Sequence, residues 1–305
     1  GQYHRLSSAN IGFEVDYNYD RRYYADLAVT GVHSSRLAPG HRQAWSPSAT
    51  IGWRLTGEEF LKDNDIVNDL MLSASGAILH QDIDIKDYYM YSANYTNGGW
   101  YSWAVGNTAA AYPKRGENVD LTFIKRKEFT AGLRGELFSH MIDFNAMFFL
   151  YKTEGLINNN SSKFPTYFST YYPEASFVPY LNLNDNRRTG FDFAVNFKKD
   201  FGEFDFKVGV TGTYYDTKAT KRDEVWENAY QYREGKAVDG IWGYKCLGFF
   251  KTDEEAAAAN QAALGSSTLK AGDLKYADIN GDGKIDSNDQ VFLSLIHISE
   301  PTRRT

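Results

Sequence analysis

Apolar and polar residues alternate one by one along much of this chain. Around residue 194, for example, Phe193 and Val195 flank Ala194, with Asp192 and Asn196 next to them. A period of two places successive side chains on opposite sides of a strand, so the pattern predicts β-strands rather than helices. Eight antiparallel strands are predicted, with cores at Ile11–Tyr17, Tyr23–Val32, Ser48–Leu55, Asp69–His80, Phe129–Leu137, Ile142–Leu150, Phe191–Phe197 and Phe204–Thr211.

The connections between these strands alternate in length. The short ones are predicted at Asp20-Arg21, Thr56–Asn68, Ser139-His140 and Asp200–Glu203, and the long ones at Ser34–Pro47, Gln81–Arg126, Leu156–Asn186 and from Lys218 to Phe292. An up-and-down barrel in an outer membrane has this pattern, because its short turns face the periplasm and its long loops face outward. A soluble sandwich with Greek-key connections has no reason to sort its loops by length. The compact turn at Thr56 also carries a predicted capping box with Glu59.

A sheet that spans a membrane must close on itself, because hydrocarbon offers no hydrogen-bond partner to the backbone groups of an unpaired edge strand. The first and the last predicted strand each lack a pairing strand on one side, so the sheet is predicted to be part of a larger barrel. The sequence therefore predicts an all-β fold: a partial antiparallel transmembrane β-barrel, about eight strands of a larger barrel, with long extracellular loops. The side chains predicted to face lipid are Phe129, Leu133, Phe144, Phe148, Phe193, Val195, Phe206 and Val208.

Composition narrows the class of protein. The chain has 305 residues, a formal charge of −6, 16% aromatic residues and one cysteine, Cys246. The acidic balance argues against a nucleic-acid partner, and one cysteine excludes a disulfide framework and a cysteine-based zinc site. No apolar run approaches the roughly 18 residues of a spanning helix. The chain carries no H-E-x-x-H, G-x-S-x-G, P-loop or dinucleotide motif, so an enzyme is not predicted.

The ends of the chain are interpreted separately. The segment 293–305 resembles translated adapter sequence from a sequencing library, so natural sequence is expected to stop near Phe292. The chain is therefore divided into a barrel part, 1–292, and a foreign tail. Within the barrel part, 218–292 is predicted to form one long extracellular loop. The absence of an initiator methionine indicates an interior segment of a longer gene.

The segment from Asp278 to Asp289 follows the calcium-loop pattern D-x-[DN]-x-[DN]-G. Ca²⁺ binds several oxygen ligands at once, and the glycine at the sixth position, Gly283, permits the sharp bend that brings them together. Lys284 offers only its backbone carbonyl, and aspartate stands at the twelfth position where glutamate is usual. The predicted ligands of a structural Ca²⁺ are Asp278, Asn280, Asp282, Lys284, Asp286 and Asp289.

Two other segments carry recognisable features. Trp100, Tyr101 and Trp103 form an aromatic cluster in a long outward loop. Such rings stack on sugars or peptides, so they are candidate substrate-binding residues, with loop packing as the alternative. The segment from Thr252 to Gly265 is predicted to be a short capped surface helix.

Several segments of the chain together carry a resemblance to a known family. They are Asp20–Asp26, Ser34–Arg36, Ser46–Leu55, Glu58–Phe60, Leu70–Gly76, Asn186–Asp192, Glu234-Gly235, Gly243-Tyr244, Gly248–Phe250, Gly272–Tyr276 and the calcium-type loop. In these segments the chain resembles the SusC/RagA type of TonB-dependent outer-membrane transporter found in Bacteroidetes. The resemblance covers nearly all of Ile11–Phe292 and is most specific from Glu234 to Tyr276, whereas Gly31-Val-His33 departs from it.

This resemblance implies a barrel of about 22 strands in the outer membrane, surrounded by its lipid. It also implies an N-terminal plug with a TonB-contacting region, none of which lies in this chain. Family members import oligosaccharides or peptides together with a SusD-type surface lipoprotein, and TonB supplies the energy. A calcium-dependent glycan-binding β-domain, soluble or anchored at the surface, is the alternative interpretation.

Overall fold

The computed structural model describes residues 5–62, 64–83, 85, 88–103, 106–159, 163–170, 175–261 and 269–293. The chain divides into two compact units, Gly1–Asp223 and Glu224–Thr305. The tail predicted to be foreign lies outside the described residues from position 294 onward. Among the described residues, no helix has both the length and the apolar character needed to cross a membrane.

The described part of the chain contains sixteen strands, one α-helix and several single 3-10 turns. In chain order the strands are β1 (Ser8–Tyr19), β2 (Tyr23–Ser34), β3 (Gln43–Arg54), β4 (Val67–Gln81), β5 (Asn94–Trp103), β6 (Gly106–Arg115), β7 (Ile124–Leu137), β8 (Ile142–Asn158), β9 (Ser169–Thr170), β10 (Ala175–Ser176), β11 (Leu181–Asp200), β12 (Asp205–Lys221), β13 (Ile241–Tyr244), β14 (Cys246–Phe249), β15 (Leu274–Tyr276) and β16 (Gln290–Leu293), and the helix is α1 (Asp253–Ala258). The 3-10 turns are Leu55–Gly57, Thr166–Phe168, Ala229–Gln231 and Ser287–Asp289.

Eight strands form one antiparallel sheet in the order β1-β2-β3-β4-β7-β8-β11-β12. Each strand pairs with the next one along the sheet, so β1 and β12 are its edges in the described part of the chain. All eight predicted strand cores lie in this sheet, except that Leu55 belongs to a 3-10 turn and Phe204 precedes β12. The prediction of an all-β, partial barrel is confirmed, and the described sheet is not closed.

Tight turns join the strands at one end of the sheet. Asp20 and Arg21 both have φ near +50°, and the Asn18 side chain accepts the Arg21 N–H at 2.9 Å. Two consecutive residues with positive φ give the hairpin turn whose twist matches that of the flanking strands. The turn between β7 and β8 likewise has positive φ at Ser139 and His140. These turns hold adjacent strands in antiparallel register.

The connections do not alternate in length without exception. The link 35–42, at the end that carries the long connections, is shorter than the link 55–66 at the other end. The predicted capping box is also wrong, because the Thr56 hydroxyl donates to Asp69 at 3.0 Å and no side chain caps this 3-10 turn. Pro47, predicted to be the last residue of the connection before this strand, lies inside β3. Its missing N–H is tolerated because β3 begins to pair with β4 only at Ser48.

Two predicted long loops contain more strand than expected. The segment 81–126 holds the hairpin β5–β6, and β7 already begins at Ile124. In the segment 156–186, β8 continues to Asn158 and β11 starts at Leu181. At this end the strands extend beyond the region where side chains alternate in polarity, so periodicity did not reveal them. β12 also runs to Lys221, ten residues past the end of its predicted core at Thr211.

The buried hydrophobic cluster of the first unit lies among these connections rather than in the sheet. Leu37, Ile85 and Leu121 have no exposed surface, and Met90 and Phe123 complete the cluster. These residues come from the links 35–42 and 82–123, and Ile157 and Tyr180 pack against them. Hydrophobic burial therefore stabilises the loop end, whereas the sheet must be stabilised on its faces by its surroundings.

The second unit is built from short pieces. Strands β13 and β16 form one antiparallel pair, and β14 and β15 form another. Helix α1 begins as predicted, with the Thr252 hydroxyl accepting the Glu255 N–H at 3.2 Å. It ends at Ala258, well before Gly265, which lies outside the described residues. Apart from these short pairs, hydrogen bonds from single side chains to the backbone of other segments hold this unit together.

Candidate functional site

The register of the sheet places its apolar side chains on one face, called here the apolar face. Residues directly opposite each other in an antiparallel pair point to the same side. Val195 lies opposite both Phe144 and Val210, and Phe193 lies opposite Ala146, which lies opposite Leu133. The same relation continues through β4, β3 and β2 to β1. All eight side chains predicted to face lipid belong to this face.

The apolar face is open to its surroundings. Phe13, Ile51 and Val210 each keep about 60% of their surface exposed, although each is strongly hydrophobic. Soluble monomers rarely expose contiguous apolar patches larger than a few hundred Å². A face of this extent over eight strands is stable when acyl chains, rather than water, contact it. Tyr19, Tyr23 and Trp53 stand at its short-turn end, where the aromatic girdle of such a barrel is expected.

The opposite side of the sheet, the polar face, carries hydroxyl, amide and charged groups. Asn196 donates to Asp143 at 2.7 Å, and Lys198 pairs with the same carboxylate at 2.7 Å. Ser75 and Thr130 share a hydrogen bond of 2.6 Å. These groups would be costly in hydrocarbon and are stable in contact with water. The two faces therefore differ in the solvent that they require.

One cluster of carboxylates lies on the polar face. Glu14, Asp16 and Asp26 bring one oxygen each within 4.8 Å of one another, which is the only such group among the described residues. It was not singled out from the sequence, because Asp26 joins the other two only through the β1–β2 register. Glu14 and Asp16 are exposed and Asp26 is half-buried, so water reaches this cluster.

A polar network caps the apolar face at the 55–66 link. The Glu58 carboxylate accepts hydrogen bonds from the Tyr23 hydroxyl at 2.6 Å, the Trp53 indole at 3.1 Å and Arg22 at 3.4 Å. These donors lower the pKa of Glu58, with the Tyr23 hydroxyl as the largest cause. The network fixes the polar tips of two rings whose bodies belong to the apolar face.

The predicted substrate-binding aromatics lie on one hairpin. Trp100 is opposite Ala109 in the β5–β6 pair and keeps 71% of its surface exposed. The side chains of Tyr101 and Trp103 lie outside the described part of the structure, although their backbone belongs to β5. Trp100 is therefore available to a ligand, and a substrate site at this hairpin stays a prediction.

The first half of the calcium-type loop is ordered by its own side chains. The two carboxylate oxygens of Asp278 accept the Gly281 and Gly283 N–H groups at 2.7 and 2.8 Å. Asn280 and Asp282 each accept the N–H two residues further on. Gly283 has φ +79°, as expected for the sixth position. The chemistry and backbone of positions one, three and five therefore fit a Ca²⁺ ion.

The second half of the loop uses its acidic side chains differently. Asp289 has no exposed surface, and its carboxylate accepts the N–H groups of Ile279, Asn280 and Asp286 at 2.7, 3.4 and 2.9 Å. Asp286 caps the following 3-10 turn by accepting the Asn288 N–H at 2.8 Å. No three described carboxylates of this loop bring oxygens within 4.8 Å of one another. Ligation by Asp286 and Asp289 stays a prediction.

Tyr230 supports this loop from a distant part of the sequence. Its hydroxyl donates to the Asn288 carbonyl at 2.7 Å. Burial, followed by the charges of Asp289 and the other loop carboxylates, raises the pKa of the Tyr230 phenol. Sequence reasoning missed Tyr230, because nothing in its local pattern signals a contact 58 residues away.

Comparisons with known proteins point in one direction. No family model matches the chain. It is 24% identical to the TonB-dependent receptor P39 of Formosa agariphila, over 95% of this chain and 30% of that protein. It is 25% identical to the TonB-dependent receptor SusC of Bacteroides thetaiotaomicron, over 90% of this chain and 27% of that protein. The chain thus spans less than a third of these relatives.

The fold is similar to that of solved structures of the RagAB peptide importer. The open-open state superposes with a TM-score of 0.70 at 15% identity, over 94% of this chain and 29% of that one. A second RagAB structure gives the same TM-score at 16% identity. These relatives are receptors and importers by name, not enzymes.

Proposed function

This chain is a relative of the SusC-type TonB-dependent receptors, and we propose that it forms part of the wall of an outer-membrane nutrient transporter. The SusC/RagA resemblance drawn from the sequence and the outer-membrane location are confirmed by the relatives and by the barrel fold. Transport by the whole protein is a proposal, because this chain spans less than a third of those relatives.

One observation carries the proposal: the apolar face stays in register across all eight strands and remains exposed. A soluble sheet buries such a face against a second layer, as in a sandwich. The alternative function, a calcium-dependent glycan-binding β-domain, would require that layer. The polar side of the same sheet supports a water-filled interior through which a hydrophilic nutrient passes.

The cargo we propose is an oligosaccharide or a peptide. Its hydroxyl and amide groups suit a polar face with hydroxyl, amide and carboxylate side chains, such as Ser75, Thr130 and Asn196. Named relatives include both SusC and a peptide importer, so they do not decide between the two cargoes. As partners we propose a SusD-like surface lipoprotein and, through parts of the protein beyond this chain, TonB.

We also propose that the 278–289 loop binds one structural Ca²⁺. Asp278, Asn280 and Asp282 would supply side-chain oxygens, and Lys284 its backbone carbonyl. The ion would offset the repulsion among the acidic side chains of this loop. The calcium is not expected to take part in transport, since the other half of the loop is occupied with backbone hydrogen bonds.

Arginine at position 195 of the full-length protein tests the wall. Val195 lies on the apolar face between Phe193 and Phe197, and a cation near the middle of the bilayer costs about 2–4 kcal/mol. We expect Val195→Arg to reduce the folded, heat-modifiable form recovered from outer membranes. Ala194→Arg is the matched control, because the neighbouring side chain points to the polar face. Equal recovery of both variants, or a soluble full-length protein without detergent, would overturn the proposal.

Uptake distinguishes the two cargoes. Cells that express the full-length protein with its lipoprotein partner should accumulate either labelled oligosaccharides or labelled peptides, and a TonB-deficient strain should accumulate neither. Binding at the cell surface that persists unchanged without TonB, with no accumulation of either cargo, would favour the glycan-binding alternative.

A further inference from the structure

Four cations stand directly opposite one another on four neighbouring strands. Lys127 of β7 lies opposite Lys152 of β8, Lys152 lies opposite Arg187 of β11, and Arg187 lies opposite Lys218 of β12. We call Lys127, Lys152, Arg187 and Lys218 the cation row. Like charges in directly opposed positions destabilise a sheet. Three such pairs in succession therefore require a compensating anion or a strongly hydrating surface.

The cation row lies on the apolar face, at the end where the long connections leave the sheet. Lys152 is ten residues from Ile142, and Arg187 is ten residues from Phe197, the last apolar positions toward the short turns. A barrel strand crosses the hydrocarbon in roughly 9–11 residues. The cation row thus lies where the hydrocarbon ends. Since long loops of such barrels face outward, this is the level of the outer-leaflet headgroups.

Carboxylates of the sheet neutralise part of the row. Glu154 pairs with both Lys127 and Lys152 at 2.7 Å. Asp216 lies two residues before Lys218 on the same face. Lys125, opposite Glu154, adds a fifth cation. In the described part of the chain, Arg187 and Lys218 have no ion pair within 4.0 Å.

The other four strands differ at the matching level. Directly opposite Lys127, the next strand β4 carries the apolar Ile78. Where the long connections leave β1, β2 and β3, the same face carries Ala9, His33 and Gln43. At the opposite end of the face, Lys199 lies opposite Phe206 and over the Phe201 ring at 5.4 Å. A general basic girdle would spread over all strands, whereas this row is confined to β7, β8, β11 and β12.

We propose that the cation row binds the phosphate groups of a phosphorylated lipid of the outer leaflet, an inference that rests on the proposed place of the sheet in the outer membrane. Arginine binds phosphate through two parallel hydrogen bonds, and lysine adds point charges. Three steps of about 4.8 Å between strands make the row about 14 Å wide, enough for more than one phosphate. The apolar side chains beneath it, such as Phe129 and Phe148, contact the acyl chains of the same lipid.

The test uses the full-length protein in detergent, titrated with micelles that contain bisphosphorylated lipid A or the same lipid without its phosphates. We expect the phosphorylated lipid to bind at least tenfold more tightly, with an affinity that falls as salt rises. The double variant Arg187→Gln/Lys218→Gln should lose most of that preference. Lys199→Gln, at the other end of the face, is the control and should retain it.

Three results would overturn the proposal. These are equal binding of the two lipids, an unchanged preference in the double variant, and binding of inorganic phosphate as tight as that of the lipid. Heat-modifiable migration of the double variant shows that the barrel still assembles, so that a loss of lipid preference is not a loss of fold. Failure of the proposed function would appear separately, as a soluble protein or as Val195→Arg without effect.

Discussion

The eight-stranded sheet and the second unit, Glu224–Thr305, obtain their order in different ways. In the sheet, continuous backbone ladders and alternating side chains fix every strand. In the second unit, single polar side chains reach the backbone of distant segments: Asp289 accepts three N–H groups, and Gln261 donates to Leu274 O at 3.1 Å and accepts from Tyr276 N at 2.9 Å. Many weak interactions that repeat along the strands order the sheet, whereas a few individual side chains order the second unit.

Substitution of Asp289 should give the largest effect. Asp289→Ala removes a buried acceptor and leaves the N–H groups of Ile279, Asn280 and Asp286 without it, which should cost the second unit about 3–5 kcal/mol. Hydrogen exchange of the full-length protein measures the loss as faster exchange in 278–290. Asn145→Ala, on the polar face of the sheet, is the control and should stay within about 0.5 kcal/mol. If both substitutions cost the same, the two regions do not differ as argued.

Calcium binding should increase the difference between the two regions, because it should stabilise the loop of the second unit and not the sheet. At a concentration a hundredfold above its dissociation constant, the ion would stabilise the loop by about 2.7 kcal/mol. We expect Ca²⁺ to slow proteolysis within 270–292 and to leave the sheet unaffected. Asp278→Ala/Asp282→Ala should abolish that protection, while Glu227→Ala, at an exposed side chain of the same unit, should retain it. Identical cleavage of the parent protein with and without Ca²⁺ would contradict the calcium proposal.

Removal of one hydroxyl in the second unit should have a smaller effect. Tyr230→Phe loses the hydrogen bond to the Asn288 carbonyl and should cost about 1 kcal/mol, seen as faster exchange in the 286–290 segment. Tyr167→Phe, at a strongly exposed ring of the first unit, is the control and should change nothing measurable. An equal response at both positions would show that Tyr230 does not support the loop.

What the sequence could predict follows the same division. Alternation revealed all eight strands of the sheet and its apolar face, and the Thr252 cap was visible because its partner is three residues away. The ends of β7, β8 and β11 were missed because alternation stops where the strands leave the bilayer. The structural role of Asp289 and the cation row were not predictable, since each depends on which distant residues lie opposite or close by in the folded chain.

The smallest effect is expected at Glu58, a side chain of the link 55–66 that accepts hydrogen bonds from Tyr23 and Trp53 of the sheet. Its donors lower its pKa, so the stabilisation is complete above the ordinary glutamate pKa and is lost as the pH falls through the folded value. We expect Glu58→Gln to lower the temperature at which the full-length barrel loses its heat-modifiable form at neutral pH. Parent and variant should converge only after the pH has fallen below this lowered pKa, where both side chains are neutral. Glu59→Gln is the control, and a difference between parent and Glu58→Gln that persists in acid would mean that shape, not charge, makes Glu58 important at this turn.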